Sequence, residues 1–301
     1  RILPALLYGS GHAYSNSFTG SGTELSVNKI ERKDLMQFHQ TWFTPNNAVL
    51  VVVGDISADA LKSKLEKSFA SWKFKPVPNK NISKVDLPEK PRVYIIDKPG
   101  ALQSIIFAAE INPSASDADY EAIKMANRIL GGEFTSRINM NLREDKHWSY
   151  GAFSVNIDAK GPGFFTGFAP VQTDKTKESI VELKNEISRY VTDKPASPEE
   201  FAKVRGNTVL QLPGTWETND AILNSLLDVL RYNRGIPYLD AYAGMLQNMQ
   251  LPAIHSAARK VIQPAKLTWV IVGDREKIEK GIEELNLGQI KYIDSEGNEL
   301  K

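Results

Sequence analysis

Two side chains in the stretch ILGGEFTSRINMNLREDKHWSY, residues 129–150, are of types that can act together. Arg143 lies near the end of a helical pattern and Tyr150 at the start of a strand pattern, so both can converge on one side. A guanidinium and a phenol both donate hydrogen bonds, and as a pair they can hold a carbonyl oxygen or an oxyanion. The plainer reading of the same residues is a glycine-ended helix, a second helix carrying Arg137 and Arg143, and then a strand. Histidine offers less. His12, His39, His147 and His255 include no pair at the i, i+3 or i, i+4 spacing that puts two ligands on one helical face. No serine lies where His147 could activate it. The chain has no cysteine, which excludes disulfides, zinc–thiolate sites, iron–sulfur clusters and thiol nucleophiles. A polar, glycine-rich stretch, YGSGHAYSNSFTGSGTE (residues 8–24), can cradle an anion on backbone N–H groups. It lacks the lysine of a phosphate-binding loop and reads first as a structured surface loop.

The elements that position these residues follow from a repeat. PNNAVLVVVGD, Pro45 to Asp55, returns as PAKLTWVIVGD, Pro264 to Asp274, at an offset of 219. Each copy follows an amphipathic stretch and precedes another. The pattern is helix, proline turn, buried strand, Gly-Asp turn, helix, used twice. Such repetition marks duplicated modules. Between the copies lies KPVPNKNISKVDLPEKPR, with four prolines, many lysines and little apolar content, which is linker composition. The expected organisation is the C-terminal part of a first module over 1–75, a linker over 76–92 and a complete second module over 93–301. By the offset, roughly 125 residues of the first module would precede Arg1.

The second module opens with strands RVYIID and SIIFAAEI. A helix with Ala122, Ile123, Ala126, Ile129 and Leu130 on one face ends at Gly131-Gly132. FTSRINMNLRED follows as a second helix, and YGAFSVNID and GFFTGFAPV pair as strands. A long helix presents Ile180, Leu183, Ile187 and Val191. Ser197-Pro198-Glu199-Glu200 forms a capping box that starts another helix, and TWETNDAILNSLLDVLRY forms one more. Strands pair without βαβ alternation. The expected class is therefore α+β: duplicated modules of a mostly antiparallel sheet with helices on one face, the first module incomplete.

Composition agrees. The chain has 301 residues, 42% of them apolar and 24% charged, enough for about two cores at ~150 residues each. A net charge of +1 gives no field for nucleic acid. No apolar run approaches the ~20 residues that span a membrane. Periplasm and cytoplasm both stay open.

At the LGG-to-Tyr block the chain resembles the pitrilysin/insulinase family of zinc metallopeptidases, whose relatives include mitochondrial processing peptidases and respiratory core subunits. LGGEFTSRINMNLRED…WSYG is similar to the family's "LGG…SRL…LRE…YS" block. DLMQFHQTWFTPNNAVLVVVGDI is similar to its helix–Pro–strand–Gly-Asp block. The resemblance implies paired modules, and halves that close around an unfolded peptide. It also implies a His-x-x-Glu-His zinc motif in the active half. In the opposite half it implies an Arg and a Tyr, seven residues apart, contacting the substrate carbonyl. Arg143 and Tyr150 meet that spacing and are the expected substrate-binding residues. His-x-x-Glu-His is absent, and Asp117 to Leu130, the helix that would carry it in the second module, holds no histidine. No catalytic or metal-binding residue is therefore expected in this chain. Zinc is expected in a preceding segment or a partner half, and the expected partners are that zinc-bearing half and a peptide. Strand edges at Ser104–Glu110 or Tyr150–Asp158 could receive the peptide by β-addition. The rival expectation is a non-catalytic structural or peptide-binding subunit of the same fold.

Overall fold

Six strands form one mixed sheet in the order β3-β4-β2-β5-β1-β6. The computed structural model describes residues 1–300. In chain order, the first 91 residues hold α1 (Leu3–Tyr8), α2 (Glu24–Val27), α3 (Arg32–Trp42) and α4 (Ala58–Phe69). Then come β1 (Arg92–Asp97), β2 (Gln103–Asn112), α5 (Tyr120–Asn127), α6 (Arg137–Asn139), β3 (Phe153–Ile157) and β4 (Gly163–Gln172). A helical run follows: α7 (Thr176–Val191), α8 (Pro198–Thr215), α9 (Asn219–Arg231), α10 (Pro237–Asn248) and α11 (Leu251–Val261). The chain closes through β5 (Thr268–Gly273), α12 (Arg275–Glu283) and β6 (Ile290–Tyr292).

β2 is the spine of the sheet. It pairs antiparallel with β4 over ten residues, from Gln103↔Gln172 to Asn112↔Gly163, and antiparallel with β5 on its other side. β3 adds antiparallel to β4, while β1 lies parallel to both β5 and β6. Strand side chains alternate between faces. Ile106 and Ala108 of β2, Ala169 of β4 and Ile271 of β5 point into the main core under α5, α7, α11 and α12. There α7 contributes Ile180, Leu183 and Ile187, all fully buried, each worth roughly 1.5–3 kcal/mol in removed apolar surface. Gly167 leaves room for Leu183 and Ile187 to sit directly on the sheet. The other face is covered only in part. The short α1 lays Leu3, Leu7 and Tyr8 across Ala109, Phe164 and Val270.

Local signals act where expected. Ser197 Oγ accepts the Glu200 N–H at 3.2 Å and Glu200 Oε2 accepts the Ser197 N–H at 2.8 Å, the reciprocal cap that starts α8. The repeat appears in the elements too. α3 and α11 begin and end 219 residues apart, and so do the 3₁₀ turns Pro45–Asn47 and Pro264–Lys266.

The expected strand of the first copy does not form. Residues 48–53 form no regular element and join no sheet, and Val49 and Leu50 are 72% and 60% exposed. The reason is tertiary. β5, the second copy, is a strand because β1 and β2 hydrogen-bond to its two sides. No strand occurs among residues 1–91 to do the same.

A second correction concerns the block after α5. The two expected α-helices widen into π-type turns at Arg128–Gly132 and Met140–Asp145. The first turn ends against β3. A Cβ on Gly131 would lie 2.4 Å from both the backbone N and Oγ of Ser154. Asn127 completes the joint, donating from Nδ2 to the Ser154 carbonyl (3.0 Å) and accepting from Ser154 Oγ (2.7 Å).

Glu110 is the most deeply buried of the carboxylates, ahead of Glu121 and Asp274. Glu110 of β2 is 1% exposed, and both its carboxylate oxygens face the Gln263 N–H, at 2.9 and 3.1 Å. Burial pushes its carboxyl up to about 8, against the opposing pull of that N–H and of Lys266.

Two outcomes follow for stability. The folded pKa of Glu110 exceeds the ordinary value, so its protonation supports the fold fully below about pH 4.5. That support is lost as pH rises through about 8. Urea unfolding at pH 5, 7 and 9 is expected to show a loss of no more than about 4 kcal/mol, which Glu110→Gln flattens. Equal slopes in the two proteins would remove Glu110 as the cause. Gly131→Ala is expected to cost about 1–3 kcal/mol by overpacking. Gly206→Ala, in the interior of α8 with open space around its Cβ, is expected to gain roughly 0.5–1 kcal/mol. Chemical denaturation of the two variants checks the contrast.

Candidate functional site: a groove beside the first edge strand

The joint between Gly131 and Ser154 leaves a groove of about 500 Å³ along β3. Its walls include Gly132, Phe134, Asn139, Arg143, Gly151 and Phe153. The second wide turn supplies Arg143. The turn closes with i−5 bonding, Lys146 N–H to the Asn141 carbonyl at 2.9 Å. His147 then adopts a left-handed φ of 56°, and its N δ1 lies 3.1 Å from the Arg143 carbonyl. This reverses the chain toward β3. Ser149 fixes the return: its Oγ donates to the Pro170 carbonyl (2.6 Å) and accepts the Gly151 N–H (3.1 Å).

The two arginines of this stretch have opposite fates. Arg137 is consumed. Its Nε and Nη2 donate to the two carboxylate oxygens of Glu200 at 2.6 and 2.5 Å, and its remaining donors reach the carbonyls of Lys194 and Pro195. Its guanidinium also stacks on Tyr190, 5.0 Å from the ring centroid. Burial alone would raise the Glu200 carboxyl, but Arg137 and the Ser197 N–H outweigh it and hold it low. Arg137 is thus a structural clamp between the α6 turn and α8. Arg143 keeps its donors. Its Nε lies 3.3 Å from Glu144 Oε1, its guanidinium lies over Phe134 at 4.6 Å, and its side chain is 38% exposed. Neither Nη group has a hydrogen-bond partner among the described residues.

Tyr150 stands beside the lining residue Gly151 and is 88% exposed. Its backbone is held by the Ser149 bonds on either side, while its hydroxyl has no partner among the described residues. Arg143 stacks on Phe134 rather than on Tyr150. The groove therefore presents a guanidinium with open Nη donors and an apolar floor of Phe134 and Phe153, while Tyr150, next in sequence to Gly151, is not among its lining residues. That is an arrangement for binding a polar backbone flanked by apolar side chains.

Of the two expected strand-addition edges, the first is contradicted and the second is partly covered. β2 is paired on both sides, so Ser104–Glu110 offers no edge. β3 is an edge strand, and side chains occupy two of its outward groups at the groove. Asn139 Oδ1 accepts the Ala152 N–H at 3.1 Å, and Asn127 donates to the Ser154 carbonyl. A peptide lying here would meet side chains, not a bare ladder.

The histidines are dispersed. His12 and His255 face the carbonyls of Ser83 and Ala196, and His39 stacks on Phe43. No group of three His, Cys, Asp or Glu side chains able to hold a metal ion occurs among the described residues. No helix among them is long and apolar enough to cross a membrane. The residues present do not fit a zinc ion.

Two features of the groove went unread in the sequence: the widened turns and the pair Asn127–Asn139 that seals β3. Asparagine at these positions carries no distinctive local pattern. The glycine pair was the available signal, and it reads equally well as a helix end.

Comparison with known proteins places this geometry in a lineage. A family model described as the peptidase M16 inactive domain matches residues 29–207, more than half of the chain. A relative in Bacillus subtilis strain 168, named "Uncharacterized zinc protease YmxG", is 23% identical over 217 residues, covering 71% of this chain and 51% of the relative. In Helicobacter pylori strain 26695, a protein named "Non-peptidase homolog YmxG" is 21% identical over 259 residues, covering 85% of this chain and 59% of its own. The chain thus spans between half and three-fifths of these two relatives. The crystal structure of a peptidase M16 inactive domain from Pseudomonas fluorescens superposes with a TM-score of 0.78 at 23% identity, covering 90% of this chain and 64% of that one. With its six-stranded sheet, its LGG-to-Tyr block and the extent of the match, this chain belongs to the peptidase M16 inactive domain family.

Proposed function

We propose that this chain supplies the metal-free, substrate-enclosing part of a zinc-dependent metallopeptidase, and that Arg143 and Tyr150 donate hydrogen bonds to a carbonyl oxygen of the bound peptide. The observation that carries this is the contrast between the two arginines. Arg137 has spent its donors on Glu200 and two carbonyls, whereas Arg143 lines an open groove with both Nη groups unpartnered. An open guanidinium beside an apolar floor suits a peptide bond whose carbonyl gains charge as it is attacked. Zinc, held in another segment of a longer protein or in a partner subunit, would supply the activated water. This chain's residues hold and orient the peptide. In this reading residues 1–75 belong to a first module, 76–92 link, and the remainder is a second module. The substrate is a peptide or an unfolded protein segment.

A second reading is favoured by one relative, which is named a non-peptidase homolog. In it the same groove binds a peptide in a complex that performs no cleavage.

The test pairs this chain with the zinc-bearing half or subunit that co-purifies with it and follows cleavage of a fluorogenic peptide. Arg143→Ala is expected to lower kcat by about 10²-fold, the loss typical of one oxyanion donor, and Tyr150→Phe by roughly tenfold. Lys146→Ala, a surface substitution outside the groove lining, is expected to leave kcat unchanged. Unchanged turnover in Arg143→Ala would refute the assigned role. Peptide binding without turnover in the intact complex would establish the second reading.

A further inference from the structure

A second hollow, of about 520 Å³, lies between the N-terminal stretch, the β3–β4 turn and the end of α9. It shares no residue with the Arg143 groove. Its size falls in the range of small-ligand sites. The rings of Tyr8, Tyr14, Phe18 and Tyr232 line it. Phe18 is 56% exposed and stacks on Phe164 at 4.9 Å with one face open.

The wall is built, not loose. Tyr8 Oη donates to the Pro162 carbonyl at 2.8 Å, and Tyr14 Oη accepts the Gly161 N–H at 3.2 Å. The Tyr14 N–H donates to His12 Nδ1 at 3.0 Å, which leaves His12 Nε2 as the donor to the Ser83 carbonyl, also 3.0 Å away. Tyr8 stacks on His12 at 5.0 Å and meets Tyr14 edge-on at 5.6 Å. On the far side, Gly161 approaches the linker so closely that a Cβ would lie 2.4 Å from Ile82. The glycine-rich stretch is therefore pinned by the β3–β4 turn and by the linker together.

The bonding left over defines the ligand. The floor offers ring faces, which take a flat aromatic group. Around the opening, Lys160 and Asn16 have no hydrogen-bond partner among the described residues, and Arg231 meets Asp228 at 3.5 Å and lies beside the Tyr232 hydroxyl. Two carboxylates lie there: Asp228, paired with Arg231, and Asp158, which already accepts from Tyr120 Oη at 2.5 Å. Lys160 and Arg231 keep N–H donors beyond these contacts, which a ligand carboxylate can take in charge-assisted bonds. We propose that this hollow binds an aromatic group carrying a carboxylate, the chemistry shared by a peptide's C-terminal aromatic residue and a free arylalkanoic acid. The ring would lie between Phe18 and the tyrosines, and the carboxylate would meet Lys160 and Arg231.

The test is calorimetric titration of the full chain with N-acetyl-glycyl-phenylalanine, its C-terminal amide and 3-phenylpropionate. The dipeptide acid is expected to bind about tenfold or more tightly than its amide, as loss of a charge-assisted bond implies. Phe18→Ala and Lys160→Ala are each expected to weaken acid binding about tenfold, Lys160→Ala with unchanged thermal unfolding since its side chain is exposed. Equal affinity for 3-phenylpropionate assigns the site to free aromatic acids, and preference for the dipeptide assigns it to peptide ends. The proposal is overturned if acid and amide bind alike, if both variants bind as the parent does, or if no acid binds.

Discussion

The close approach of Gly131 to Ser154 is the constraint on which the groove depends. It brings the widened turn after α5 against the edge strand, and the two hydrogen bonds between Asn127 and Ser154 lock it there. From that joint the chain runs through Phe134 and α6 to the second widened turn, which carries Arg143. The return through Ser149 places β3 on the opposite side. Besides this joint, the one hydrogen bond at the groove between the α6 wall and the start of β3, among the described residues, is that of Asn139 with Ala152. The joint also has a protective effect. An edge strand with open N–H and C=O groups pairs readily with other chains. Here Asn127 and Asn139 take those groups at Ser154 and Ala152.

Packing and chemistry are divided between two arginines six positions apart. Arg137 gives its full donor set to α8 and the loop before it, tying the groove's far end to the helical layer. Arg143 gives its stem and ring-facing surface to Phe134 and keeps its Nη groups. A buried bidentate pair of the first kind is costly to break from either side. A half-exposed guanidinium of the second kind is available to a ligand. The same residue type thus serves stability in one case and stays available in the other, and the difference lies in what each can reach.

Much of this architecture was legible in the sequence, because it rests on local patterns. β1, β2, β4 and β5 are short apolar runs between turn residues. The Ser197–Glu200 box starts α8 as written, and α3 and α11 reproduce the 219-residue offset. The rest depends on long-range contacts. Residues 48–53 carry nearly the same phrase as β5 but form no strand, since a strand exists only where neighbours pair with it. The widened turns form because of β3, which lies more than 20 residues after Gly131. Arg143 and Tyr150 could be nominated from their types and spacing. Which arginine would keep its donors was decided by Glu200, 63 residues from Arg137. The short α1 and α10 carried too little periodicity to read, and the glycine-rich stretch revealed its aromatic wall only once Tyr8 met Pro162 and Tyr14 met Gly161.

The central claim is that the groove between Gly131 and Phe153 receives a peptide. Amide hydrogen exchange on the assembled protein, with and without an unfolded peptide, tests it most directly. The account predicts added protection over residues 131–134 and 149–153, with Arg143→Ala reducing it. Protection confined to other segments, or protection at the groove that Arg143→Ala leaves unchanged, would contradict it.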